Sequence, residues 1–146
     1  MDTYIINGGK KLNGSVTISG AKNAALPIIV ASLLAEGKTV LHNVPNLKDI
    51  QTILQVIKCL GADYQFDTQT NTLTIHVNSL KNAEVPYDLV KTMRASIYVM
   101  GPLLARCGEA DVSLPGGCAI GERPVDIHLS GFEALGSTIN IEHGYI

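Results

Sequence analysis

Apolar residues fall in three patterns along this chain. From Leu47 to Leu60 they keep a three-and-four rhythm: Ile50, Ile53, Leu54, Ile57 and Leu60 line one stripe, the signature of a half-buried helix. Gly61 follows as its C-terminal stop. Alternation takes over in Ala62 to Phe66 and Thr72 to Val77, with the turn-forming stretch DTQTN between them. That pattern predicts a hairpin. Two segments, about Asn23 to Ala35 and Met93 to Ala105, are apolar nearly all round and read as buried helices. Short strands are expected at Ser15 to Ile18, Val40 to Val44, Asp111 to Leu114 and Ser137 to Ile141. A further helix is expected at about Val125 to Leu135, stopped by Gly136.

These elements repeat. LLAEGKTVLHNVP at 33–45 matches LLARCGEADVSLP at 103–115 with an offset of 70, and Leu60-Gly61 matches Leu135-Gly136 with an offset of 75. The second copy has therefore gained five residues, within PGGCAIGERPVDIH at 115–128. A loop lengthened in one copy of a scaffold is a candidate for function. In the second copy EHGY is the expected turn, and its return strand would begin near Ile146, the last residue. The repeat predicts that this chain is part of something longer. Alternating helices and strands give an α/β (α+β) fold, built from helix–strand–helix–strand–strand units.

The totals narrow the classes. The 146 residues are 46% apolar and 16% charged, enough for one domain with a core. A net charge of −2 and the absence of Trp give no footing for nucleic acid or an anionic membrane. The longest apolar runs are about a dozen residues, short of the roughly 20 that a bilayer span needs. Three cysteines, an odd number, and no signal-peptide pattern fit a reducing cytoplasm.

Chemistry concentrates in three stretches. Cys118 stands behind two glycines with Arg123 nearby. A cation lowers a thiol's pKa, and a thiol can serve as nucleophile or general acid. The alternative is a small hydrophobe in a tight turn. Cys59 and Cys107, in or at the end of apolar helices, read as inert packing. In SGAKNAAL at 19–26, Lys22 and Asn23 open a buried helix. Free amides there attract an anion and the lysine adds a full charge; the alternative is a solvated surface lysine. The matching place in the second copy holds Lys91 and Arg94. Arg123 precedes a helix that starts with Pro124, and Asp126 either caps that helix or accepts from a hydroxyl. Gly116 and Gly121 have phosphate-loop spacing, but Glu122 stands where that motif needs lysine. His42, His76, His128 and His143 are scattered, so no metal site is expected.

With GSVTISGAKNAALP, PYDLVKTMRAS and SLPGGCAIGERPVDIHLSG in place, the chain resembles the N-terminal part of the UDP-N-acetylglucosamine 1-carboxyvinyltransferases, enolpyruvyl transferases of peptidoglycan synthesis. The sibling shikimate-pathway transferases share the fold, but the GTAMR stretch expected of them is absent.

The resemblance implies an inside-out α/β barrel with about two of its repeats present. Residues 1–20 would contribute to a second domain. Residues 21–146 would form a partial catalytic domain, with repeat one at about 21–88 and a truncated repeat two at about 89–146. It implies transfer of enolpyruvyl from phosphoenolpyruvate to the 3-hydroxyl of UDP-N-acetylglucosamine, with loss of phosphate and no cofactor or metal. The partner would be the remaining C-terminal part of the same enzyme. By resemblance Cys118 is the general acid and the target of the epoxide fosfomycin. Lys22 and Asn23 bind phosphoenolpyruvate. Arg94, Arg123, Pro124, Val125, Asp126 and Ile127 bind the sugar nucleotide. Two other readings stand beside this: a segment that binds the sugar nucleotide without turnover, and a thiol redox sensor.

Overall fold

The computed structural model describes residues 3–81, 87–90, 93–113 and 125–146, without the side chains of 88, 90 and 94–96. Helix α1 (Lys22–Ala31) runs into a 3₁₀ turn (Ser32–Leu34). Strand β1 (Gly37–Leu41), helix α2 (Lys48–Cys59) and the hairpin β2 (Ala62–Asp67) and β3 (Thr72–Val77) follow. Then come a single helical turn α3 (Tyr87–Val90), a 3₁₀ segment (Arg94–Val99) that leads into α4 (Met100–Cys107), and α5 (Asp126–Ala134). No helix among the described residues is long and apolar enough to cross a membrane.

The three strands form an antiparallel sheet in the order β1-β3-β2. Register stacks Leu41, Leu73 and Phe66 in one row, Thr39, Ile75 and Tyr64 in the next, and Gly37, Val77 and Ala62 in the third. Side chains two apart share a face, so Leu73, Ile75 and Val77 bury together down the central strand. Helix α2 packs against β2 and α1 with Ile50, Ile53, Leu54, Val56 and Ile57 fully buried. Each such side chain contributes roughly 1.5–3 kcal/mol. The core continues through Leu26, Ile29, Val30 and Leu33 to Ile97, Met100 and Leu103.

Gly61 and Gly136 end their helices alike. Each has φ of 99°, and their N–H groups donate to Lys58 and Glu133 at 3.1 and 2.9 Å. A Cβ on Gly61 would also come within 2.7 Å of the Ser79 carbonyl oxygen. The left-handed backbone is open to glycine at little cost, which is why both stops were readable.

Several expectations shift. Helix α2 and the hairpin lie where predicted, but β1 begins three residues earlier than Val40 and ends at Leu41. Asn43, at φ 58°, turns the chain out of the strand. The long helix expected from Met93 starts as 3₁₀ at Arg94 and becomes α-helical at Met100. Pro102, which has no N–H to donate, then falls in the first turn of α4, where that loss is tolerated.

The strand expected at Ser15 to Ile18 is not formed: the segment is non-strand and exposed, with Val16 and Ile18 at 85% and 78%. A strand needs a neighbour to receive its backbone groups, and no described strand lies alongside it. Asp111 to Leu114 is not a named strand either. Ser113 forms an isolated bridge to Tyr145, while Val112 and Ile146 exchange two backbone hydrogen bonds of 3.0 and 2.9 Å; Leu114 lies outside the described residues. Ser137 to Ile141 also forms no strand. The expected EHGY turn is present, with His143 and Gly144 at φ 52° and 85° and paired bonds between Glu142 and Tyr145.

Candidate functional site

Lys22 is positioned by the loop after β1. The turn residue Asn71 accepts a backbone hydrogen bond from Val44 at 2.9 Å, which ties that loop to the hairpin. Asn43, next to Val44, accepts from the Gly20 N–H through Oδ1 at 3.1 Å. A Cβ on Gly20 would collide with the Asn43 backbone carbonyl, so only glycine allows this approach. The chain then enters α1 at Lys22, and Ala21 supplies no side-chain cap.

At that point the structure adds a residue that sequence reasoning missed. Asp49, in the first turn of α2, holds the Lys22 ammonium in an ion pair of 2.6 Å. The two side chains remain 43% and 38% exposed. Asp49 suits a helix N-terminus, whose partial charge is about +0.5; Lys22 is the wrong sign for its own. An exposed pair contributes only about 0–1 kcal/mol, so stability alone does not account for a cation there. The available signal for Asp49 was an acidic residue in a predicted first turn, which is ordinary for stability and so did not stand out.

Asn23 follows Lys22 and is exposed. Pro27 has no N–H to return to the carbonyl of Asn23, four residues earlier. Arg94 is the first residue of the 3₁₀ segment, and that segment packs against α1. On α5, Val125 is the buried N-cap residue, while Asp126 and Ile127 are exposed in the first turn, Ile127 at 80%. The ring of His128 stands 6.4 Å from that of Tyr98, tilted by 42°, within the range of an aromatic contact. Helices α1 and α5 thus flank the same 3₁₀ segment. The N-cap residue of α5 is Val125, which makes no side-chain cap bond, and Asp126 stands one place inside it, in the first turn. Cys118, Arg123 and Pro124 lie outside the described residues.

The other cysteines divide. Cys107 is half-buried against the core, as expected of a packed thiol. Cys59 is exposed, which corrects its reading as inert packing. It lies about half a turn around α2 from Ile57, on the face away from the apolar stripe.

A cavity of about 500 Å³ lies elsewhere, lined by acidic Glu109, Asp111 and Glu142 beside His143 and Ile146. Among the described residues, none of the expected site residues borders it.

The family profile of EPSP synthase (3-phosphoshikimate 1-carboxyvinyltransferase) matches residues 6–146. The chain is 58% identical over all 146 residues to a UDP-N-acetylglucosamine 1-carboxyvinyltransferase of Psychrobacter arcticus, covering 34% of that protein. It is 55% identical over the same span to one of Trichlorobacter lovleyi, again 34% of its length. The chain thus spans about a third of the curated relatives it matches. Among solved structures, the enolpyruvyl transferase NikO from Streptomyces tendae overlays 94% of the chain, 30% of its own, at TM-score 0.76 and 25% identity. An EPSP synthase from Acinetobacter baumannii overlays 91% of the chain and 30% of its own at TM-score 0.62; at 19% identity it speaks for the fold alone. The chain belongs to the EPSP synthase family, the family of enolpyruvyl transferases, and the relatives it matches along its whole length are UDP-N-acetylglucosamine 1-carboxyvinyltransferases.

Proposed function

We propose that this chain is the N-terminal third of an enzyme that moves enolpyruvyl from phosphoenolpyruvate to the 3-hydroxyl of UDP-N-acetylglucosamine. It would act in the cytoplasm, at the entry to peptidoglycan synthesis. Likeness along all 146 residues to relatives of that name carries the reading. Residues 1–20 go to a second domain, and residues 21–146 supply about two repeats of an inside-out barrel. The remaining C-terminal part completes the site.

The chemistry divides into addition and elimination. The sugar oxygen bonds to C2 of phosphoenolpyruvate as the Cys118 thiol gives its proton to C3, and the hydroxyl proton leaves to a base. The tetrahedral ketal then loses a proton from C3 and expels phosphate, which restores the carbon–carbon double bond. A proton donor to carbon must approach the methylene and withdraw, which suits a thiol between glycines. Lys22 holds the charged groups of phosphoenolpyruvate, with Asn23 beside it. Arg94 and the segment Arg123, Pro124, Val125, Asp126 and Ile127 hold the sugar nucleotide, Asp126 by accepting from a hydroxyl. Closing the loop over both substrates expels water and strengthens each charged contact.

Replacing Cys118 with serine in the full-length enzyme tests this through phosphate release. Turnover is expected to be abolished or greatly slowed; a parental rate contradicts the acid role.

A further inference from the structure

We propose that Asp49 is a positioning residue that acts through Lys22, holding its ammonium where the N-termini of α1 and α2 meet so that an anionic substrate encounters a cation already in place. The proposal rests on the reading of Lys22 as the holder of phosphoenolpyruvate's charged groups.

Three features carry it. The pair joins the first residue of α1 to the first turn of α2 at 2.6 Å, and those helices pack against each other, so the anchor is as fixed as the core beneath it. An ammonium has three N–H donors and one carboxylate oxygen takes one, so an anion can be bound without breaking the pair. With side chains 43% and 38% exposed, the ammonium is reachable from solvent.

The charges agree. Two helix N-termini supply about +0.5 each, and Lys22 and Asp49 cancel, which leaves a local charge of about +1. Asp49 therefore fixes the lysine without turning the place against anions. Without the carboxylate, the long lysine stem keeps its rotamer freedom and loses it only on binding, which weakens affinity.

The test is made in the full-length enzyme, with calorimetry of phosphoenolpyruvate binding beside steady-state kinetics. Asp49→Ala is expected to raise the Kd and the KM for phosphoenolpyruvate about tenfold, with kcat within about twofold of the parent and the KM for the sugar nucleotide unchanged. Asp49→Glu should recover part of that loss, and the isosteric Asp49→Asn should fall between parent and alanine. Asp49→Asn keeps the test decisive if the alanine form does not fold. A Kd unchanged in both neutral variants overturns the proposal. So does a loss shared equally by both substrates and by thermal stability, with no recovery in the glutamate form. A parent that binds phosphoenolpyruvate but makes no product contradicts the enzymatic reading while the Kd comparison still decides Asp49; a parent that does not bind it removes both.

Discussion

Arg106 places Nη2 2.8 Å from Oε1 of Glu36, the residue 70 positions earlier and its own counterpart in the first copy of the repeat. Nη1 of the same guanidinium donates to the Leu33 carbonyl at 3.2 Å, a group left over where the 3₁₀ turn ends. Two positions that the sequence offset of 70 aligns thus meet at the surface where α4 packs against the 3₁₀ turn after α1.

The two bonds differ in weight. Glu36 is 73% exposed on its side chain and Arg106 only 21%. An exposed carboxylate partner contributes about 0–1 kcal/mol, whereas a partly buried cation on an orphan carbonyl contributes more, about 1.5–3 kcal/mol. Glu36→Gln should shift the chemical-denaturation midpoint little. Arg106→Ala should cost about 1–3 kcal/mol, and equal losses from the two would refute this division.

Gly20→Ala would drive a methyl group into the Asn43 backbone carbonyl. The chain must move away, carrying the start of α1 and Lys22 with it. Backbone displacement of this kind costs about 1–3 kcal/mol. Denaturation should register that loss, and phosphoenolpyruvate affinity in the full-length enzyme should fall with it. A variant of parental stability would show that the approach at Gly20 relaxes freely.

Asp67, the last residue of β2, accepts hydrogen bonds from the Thr70 hydroxyl at 2.7 Å and from the Gln69 amide at 2.9 Å. The Thr70 hydroxyl first, then the two turn amides, hold its carboxyl below the ordinary carboxylate pKa. The folded form is the stronger acid, so the stabilisation is complete above the ordinary carboxylate range and fades as pH falls through the depressed value. Carboxyl-detected NMR titration should find Asp67 shifted down in the parent and closer to the ordinary value in Thr70→Val. An unchanged midpoint between the two would remove the hydroxyl as the main cause.

Much of the fold was legible because it follows a local period. Helix α2 shows its stripe in the spacing of Ile50, Ile53 and Ile57, and β3 shows its alternation in Leu73, Ile75 and Val77. Gly61 and Gly136 announce their caps because only glycine sits easily at φ 99°. Ser15 to Ile18 alternates just as well yet forms no strand, since a strand depends on a partner that its own residues do not encode. At the site, Lys22 stood out because a lysine at a helix start adds a full charge to amides that attract an anion. Asp49 did not, because its ordinary local preference conceals a contact made 27 residues away.

The central claim is that Cys118 is a reactive thiol serving sugar-nucleotide chemistry. Peptide-mapping mass spectrometry of the full-length enzyme after fosfomycin treatment tests it most directly, because exposed Cys59 reports the reactivity of an unassisted thiol in the same sample. The account predicts an adduct on Cys118 that forms faster with UDP-N-acetylglucosamine present, and little or none on Cys59. Equal labelling of the two cysteines, or labelling of Cys118 indifferent to the sugar nucleotide, would contradict it.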